Sequence, residues 1–113
     1  MANTFVNKKA DLTSTSATTL YTVPTATTGL IKSILVSEAS GNAETITVTI
    51  TDTDDAVFSL FKTKAISANA TTELVSQPLV AKESEIIKVT AATANRLHVV
   101  LSALEIKPRD VTT

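Results

Sequence analysis

At 113 residues, with ten basic and eleven acidic side chains and a formal charge of −1, the chain is the size of one domain and has no general attraction for nucleic acid or anionic lipid. The absence of cysteine excludes disulfide scaffolds, thiolate metal sites and cysteine nucleophiles. Eight Ile, eleven Val and ten Leu supply an aliphatic core. Twenty-one Thr and ten Ser beside only two Gly favour strands with one wet face over helices.

The first 17 residues differ from the rest of the chain. Phe5 and Val6 are the only large apolar side chains after Met1 and before Leu12, and Thr13-Ser14-Thr15-Ser16-Ala17 is polar throughout. We read residues 1–17 as an extended N-terminal arm, either frayed or ordered against a partner, whose removal leaves a folded domain. The start places Lys8-Lys9 after the first apolar residues and lacks the apolar block of a signal peptide, and no apolar run approaches the length of a membrane helix. The expectation is a soluble chain made in the cytoplasm.

The domain proper spans 18–106. Thr18-Thr19-Leu20-Tyr21-Thr22-Val23 reads as a strand ended by Pro24. Residues 29–37 read as a second, with Leu30, Ile34 and Val36 on one face and Ile31 and Leu35 on the other. Apolarity on both faces makes Ile31 and Leu35 candidates for contact with a neighbouring subunit. Thr45-Ile46-Thr47-Val48-Thr49-Ile50-Thr51 alternates strictly and buries one face. The link Ala39-Ser40-Gly41-Asn42-Ala43 predicts a hairpin between these two strands, since Gly41-Asn42 can supply positive φ.

Asp52-Thr53-Asp54-Asp55 is turn chemistry. Strand character resumes over 57–64, with Phe58, Leu60, Lys62 and Lys64 on one face and Phe61 on the other. Short strands come next at 73–75, 79–80 and 85–90, with Pro78 and Lys82-Glu83-Ser84 between them, and a last strand runs over 97–106. The prediction is an all-β fold, a small antiparallel β-sandwich of about seven or eight strands, jelly-roll-like or immunoglobulin-like. Residues 107–113 read as a short C-terminal tail.

Few residues offer chemistry. His98 is the single histidine and has no second ligand in sequence reach. Asp52, Asp54 and Asp55 lack the Gly and closing Glu of a calcium loop. No serine lies in a Gly-x-Ser-x-Gly elbow. Lys8, Lys9, Lys62 and Lys64 near Phe58 and Phe61 read as solvated side chains rather than a nucleic-acid stripe, and the Asn69-Ala70-Thr71 sequon carries no weight without a secretion signal. The expectation is a non-enzymatic protein without catalytic, metal or cofactor sites, contacting other protein copies through Phe5, Val6, Leu12, Ile31 and Leu35.

Leu20-Tyr21-Thr22-Val23-Pro24, followed by Thr28-Gly29-Leu30-Ile31-Lys32-Ser33-Ile34-Leu35-Val36, resembles the start of a group of small virion structural proteins of tailed bacteriophages, especially those of marine and cyanobacterial hosts. The stretches 72–80, 84–90 and 99–106 are similar to that group's second half. Related sequences often carry Gly in two turns where this chain has Thr25-Ala26-Thr27 and Lys82-Glu83-Ser84. The resemblance implies a capsid decoration or cement protein. It would be a homotrimer on the outer surface of the head, bound to the major capsid protein, without nucleic-acid or membrane partners. The alternatives are a head–tail connector, tail or fibre-attachment subunit, or a surface- or carbohydrate-binding β-sandwich module.

Overall fold

A computed structural model describes residues 3–107. They form nine strands: β1 (Asn3–Asp11), β2 (Thr18–Thr22), β3 (Thr28–Glu38), β4 (Glu44–Thr51), β5 (Val57–Ile66), β6 (Thr71–Glu73), β7 (Leu79–Ala81), β8 (Ile86–Ala91) and β9 (Leu97–Ile106). All pairings are antiparallel. One sheet has the order β1, β9, β3, β6, with β7 also pairing with β3; the other has the order β2, β8, β4, β5. The chain is therefore a rolled-up hairpin. β4 pairs with β5 at its apex, and the pairs of β3 with β6 and β7, β2 with β8, and β1 with β9 lie successively outward. That is the strand order of a jelly roll, which settles the choice between the two sandwich types.

The two inner faces supply the core. Ile31, Ile34 and Val36 of β3 and Leu97, Val99 and Leu101 of β9 meet Ile46 and Val48 of β4 and Ile87 and Val89 of β8, all fully buried. Truncating any one of the larger of these to Ala costs about 2–5 kcal/mol. The alternation of apolar and polar residues in β4, β8 and β9 puts their apolar sets inward as the period-two pattern requires.

Four sequence expectations need revision. The hairpin predicted across residues 39–43 is a crossover between sheets: β3 and β4 bury their apolar faces from opposite sides of the core. Gly41 does adopt positive φ, at 82°, but the link folds around the Glu38 carboxylate. That group accepts hydrogen bonds from the amides of Ser40, Gly41, Asn42 and Asn69 and from the Ser40 hydroxyl. The local hairpin is the next one, β4–β5, where Asp52 Oδ1 accepts from the amides of Asp54 and Ala56 at 2.9 and 3.0 Å.

The faces of β3 also differ from simple alternation. Ile31 pairs with Ala103 and Ser33 with Ser102, so Lys32 is an extra residue in a β-bulge. The bulge shifts the phase, and Ile31, Ile34 and Val36 all point inward. β5 carries similar irregularities, with Val48 opposite Phe61 and Ile46 opposite Lys64. They turn both Leu60 and Phe61 toward the core.

The segment read as an arm is, over Asn3–Asp11, the edge strand β1, in continuous register with β9 from Asn3 opposite Ile106 to Asp11 opposite His98. Leu12 then turns into the core, its amide donating to the Leu97 carbonyl at 3.1 Å and its carbonyl accepting from Asn95 at 2.8 Å. The sandwich thus begins with β1 rather than at residue 18. Of the expected C-terminal tail, residues 108–113 lie outside the described region.

Gly29 is required by a close approach. A Cβ there would lie 3.2 Å from the ring and the hydroxyl of Tyr21, which passes over it to reach Glu105, the register partner of Gly29 on β9. The two turns in which related sequences often carry Gly hold Ala26 and Ser84 at φ of 57° and 69°, the left-handed region that favours Gly.

Candidate interaction surface

The outer faces of the two sheets differ in chemistry. On the β2, β8, β4, β5 sheet, cross-strand register lines up Thr19, Lys88, Thr49 and Ser59 in one row, and Thr47 opposite Thr90 beside it. The centre of this face is the wet side that the Thr alternation predicts, and the exposed apolar residues of the sheet, Val57 and Phe58, sit at the start of its edge strand β5.

On the other sheet, register sets Phe5 of β1 beside Leu104 of β9, Leu104 beside Leu30 of β3, and Leu30 beside Val80 of β7. Directly opposed residues of paired strands share a face with Cβ atoms about 5 Å apart. The four therefore make one continuous apolar row across four strands. Phe5 is 78% exposed and Val80 55% exposed, with Leu104 and Leu30 half-buried between them. A parallel row consists of Lys9, Val100, Leu35 and Glu73. It is apolar at its centre, positive at one end and negative at the other.

Glu73 is fixed in place. Its carboxylate accepts from the Ser33 hydroxyl and from the amides of Ile34 and Val75 at 2.9 and 3.1 Å. Partial burial pushes its pKa up, but these donors outweigh it and hold the group below the usual carboxylate range. It presents a fixed negative charge at neutral pH.

Of the residues expected to meet a partner, Phe5 and Leu35 lie on this outer face. Val6 is half-buried against the core. Leu12 and Ile31 are 1% and 0% exposed, and their assignment as contact residues is corrected: the chain turn after β1 carries Leu12 inward and the Lys32 bulge does the same for Ile31. Leu104, Val100 and Val80 were not singled out in the sequence, and Leu30, grouped there with Ile34 and Val36, lies on the face opposite to theirs because of the same bulge. Strand alternation signals Val100 and Leu104 as a second apolar set on β9, but only the register reveals the row.

The remaining candidates are dispersed. His98 Nε2 lies 3.4 Å from Asp11 Oδ1 across the β1–β9 pair, both exposed. Asp52 is occupied in its turn, and among the described residues no cluster of three His, Asp or Glu side chains is placed to hold a metal ion. Lys62 and Lys64 are exposed on β5, whereas Phe61 leans on the core. An open groove of about 280 Å³ runs along the uncovered edge between β5 and the loop joining β6 to β7, lined by Leu60, Phe61, Leu74, Val75, Pro78 and Leu79. Among the described residues no helix is long and apolar enough to cross a membrane.

Fold and surface together define the class: a small jelly-roll β-sandwich with one face covered by threonine at its centre and one crossed by a continuous apolar row. The sequence matches no protein-family model and shows no significant similarity to a curated protein.

Proposed function

We propose that the protein is a non-enzymatic structural subunit of a tailed-bacteriophage particle, a decoration or cement protein on the outer surface of the head that joins major capsid subunits. The observation that carries this reading is the contrast between its two outer faces. A rigid body of this size that carries an apolar row ending in the exposed Phe5 and Val80 across one sheet, while the centre of the other sheet is covered with Thr and its exposed apolar residues, Val57 and Phe58, are confined to the start of the edge strand β5, is a two-sided building block for protein contacts. The resemblance of residues 18–106 to small virion proteins supplies the location, and the recurrence of jelly rolls in viral capsids supports it by analogy.

Quantitative mass spectrometry of purified particles tests the proposal. The chain is expected at a sizeable fraction of the major capsid protein. Only a few copies per particle would place it in the neck or tail, and its absence from particles would overturn the reading.

A further inference from the structure

We propose that the apolar face of the β1, β9, β3, β6/β7 sheet is a self-complementary interface that pairs two copies of this chain face to face. The inference rests on reading this face as an interaction surface and does not depend on a location in a virion.

The argument is one of register. Four strand columns lie side by side, in the order β1, β9, β3, then β6 and β7. A two-fold axis running between β9 and β3, parallel to them and in the plane of contact, lays each row on its own copy in reverse. Column β1 then meets the second copy's β6 and β7, and β9 meets its β3. Phe5 packs on the second copy's Val80 and Leu104 on its Leu30. In the other row Val100 packs on the second copy's Leu35, and Lys9 at one end faces Glu73 at the other. Apolar meets apolar, and opposite charges meet twice, which is the isologous arrangement of closed dimers.

The intervening and flanking rows fit the same operation. Asn7, Ser102 and Ser33 lie between the two rows, and Asp11 and His98 are carried onto Thr71 and Ser37. No like charges are superposed. The sheets would stack about 10 Å apart with strands nearly aligned, as in a β-sandwich.

The area is adequate. Four columns about 4.8 Å apart and a β9 of ten residues at about 3.4 Å each give a footprint of roughly 600 Å², close to the ~800 Å² per partner of a standard stable interface. The other sheet exposes Val57 and Phe58 at the start of β5, but Thr51 stands between Val57 and Ile86, and the face lacks both a continuous apolar row and the opposed charges. A second copy is therefore the occupant that this face specifies.

Sedimentation equilibrium of the full chain at micromolar concentration should give twice the 11.9 kDa chain mass. Replacing Phe5→Asp together with Val80→Asp should return it to the single-chain mass with the circular dichroism of the folded protein, whereas Thr19→Glu on the opposite face should leave the dimer intact. A second measurement does not depend on the double Asp variant folding. In Phe5→Cys/Val80→Cys, the two positions within one chain lie three strands apart, on the order of 14 Å, whereas in the dimer each points at the second copy's partner position across sheets about 10 Å apart. The chain has no other cysteine. A bismaleimide with a two-carbon linker, too short for the first separation and long enough for the gap between facing side chains, should therefore yield a covalent dimer on a denaturing gel. A native chain that stays monomeric, a three-chain mass, a dimer unaffected by the two Asp substitutions, or a Cys variant that reacts with the bismaleimide without forming the covalent dimer would overturn the proposal.

Discussion

The Tyr21 hydroxyl donates a hydrogen bond to Glu105 Oε2 at 2.7 Å inside the sandwich, tying β2 of one sheet to β9 of the other. Both side chains are buried, at 2% and 7% exposure. An unpartnered carboxylate there would be costly, and the phenol is what satisfies it. The Tyr ring reaches it across the backbone of Gly29, so three separated parts of the chain converge on one polar contact.

Removing this hydroxyl should therefore destabilise the domain without altering its surface. Tyr21→Phe is expected to lose about 1.5–3 kcal/mol, the range for a hydrogen bond to a charged group, read from urea unfolding at neutral pH. The same contact makes an alkaline prediction. Burial, then the Glu105 carboxylate, pushes the Tyr21 pKa well above the ordinary phenol range. A raised folded-state pKa gives stability that is complete below the unfolded phenol pKa of about 10 and is lost as pH rises beyond it. Tyr21 is the only tyrosine, so phenolate absorbance reports it alone. It should appear together with unfolding, and reversible titration at the ordinary phenol pH in a folded protein would contradict the contact.

Glu38 governs the acid side. Burial raises its pKa, but the Ser40 hydroxyl and the amides of Asn69, Ser40 and Gly41 more than offset this and hold it at about 2. A depressed carboxylate contributes stability that is present above its unfolded pKa of about 4.3 and is lost as pH falls toward the folded value. Glu38→Gln should lower the melting temperature at neutral pH and flatten the decline below pH ~4.3. Glu73, also depressed, leaves part of that slope in place. An unchanged acid profile in the variant would show that the crossover between β3 and β4 does not depend on this carboxylate.

These contacts also mark how far the sequence could be read. The longer strands of the domain are legible, because Thr alternating with Ile and Val over 45–51 and the apolar set of 97–106 repeat with period two and are punctuated by turn residues, whereas β1, without such alternation, reads as an arm, and the short β6 lies at Thr71–Glu73 rather than 73–75. The partners of the strands were less so. Gly41-Asn42 suits a hairpin and a sheet-to-sheet crossover equally, and what decides between them is Glu38 together with Asn69, 31 residues away. Tyr21 and Glu105 are 84 residues apart, and no local pattern links them. The apolar row from Phe5 to Val80 depends on the register of three strand pairings at once. A one-residue bulge moved Ile31 from the surface to the core, which periodicity alone does not reveal.

Truncation distinguishes an arm from a strand. Deleting residues 1–16 removes β1 along its whole register with β9 and takes Leu12 out of the core. The loss of one fully buried Leu costs about 2–5 kcal/mol, and the uncovered β9 becomes an open edge prone to pairing with other chains. Against a typical domain stability of about 5–15 kcal/mol, the truncated chain should melt far below the intact one and aggregate. A truncated chain with unchanged melting behaviour would restore the arm reading.

Deletions within β3 give the sharpest test of the bulge. Removing Lys32 leaves Ile31, Ser33 and Ile34 in regular alternation, inward, outward and inward, because Lys32 is the residue with no counterpart on β9. That variant should fold with a penalty of about 1–3 kcal/mol. Removing Leu35, only three residues along, has the opposite effect. Val36 and Glu38 would turn outward and Ser37 inward, costing a fully buried Val and the carboxylate around which residues 39–43 fold. The penalty should exceed about 4 kcal/mol, and the chain should fail to fold cooperatively. Thermal unfolding of the two single-residue deletions provides the comparison, and a Lys32 deletion as damaging as the Leu35 deletion would show that the inward set of β3 is not organised around the bulge.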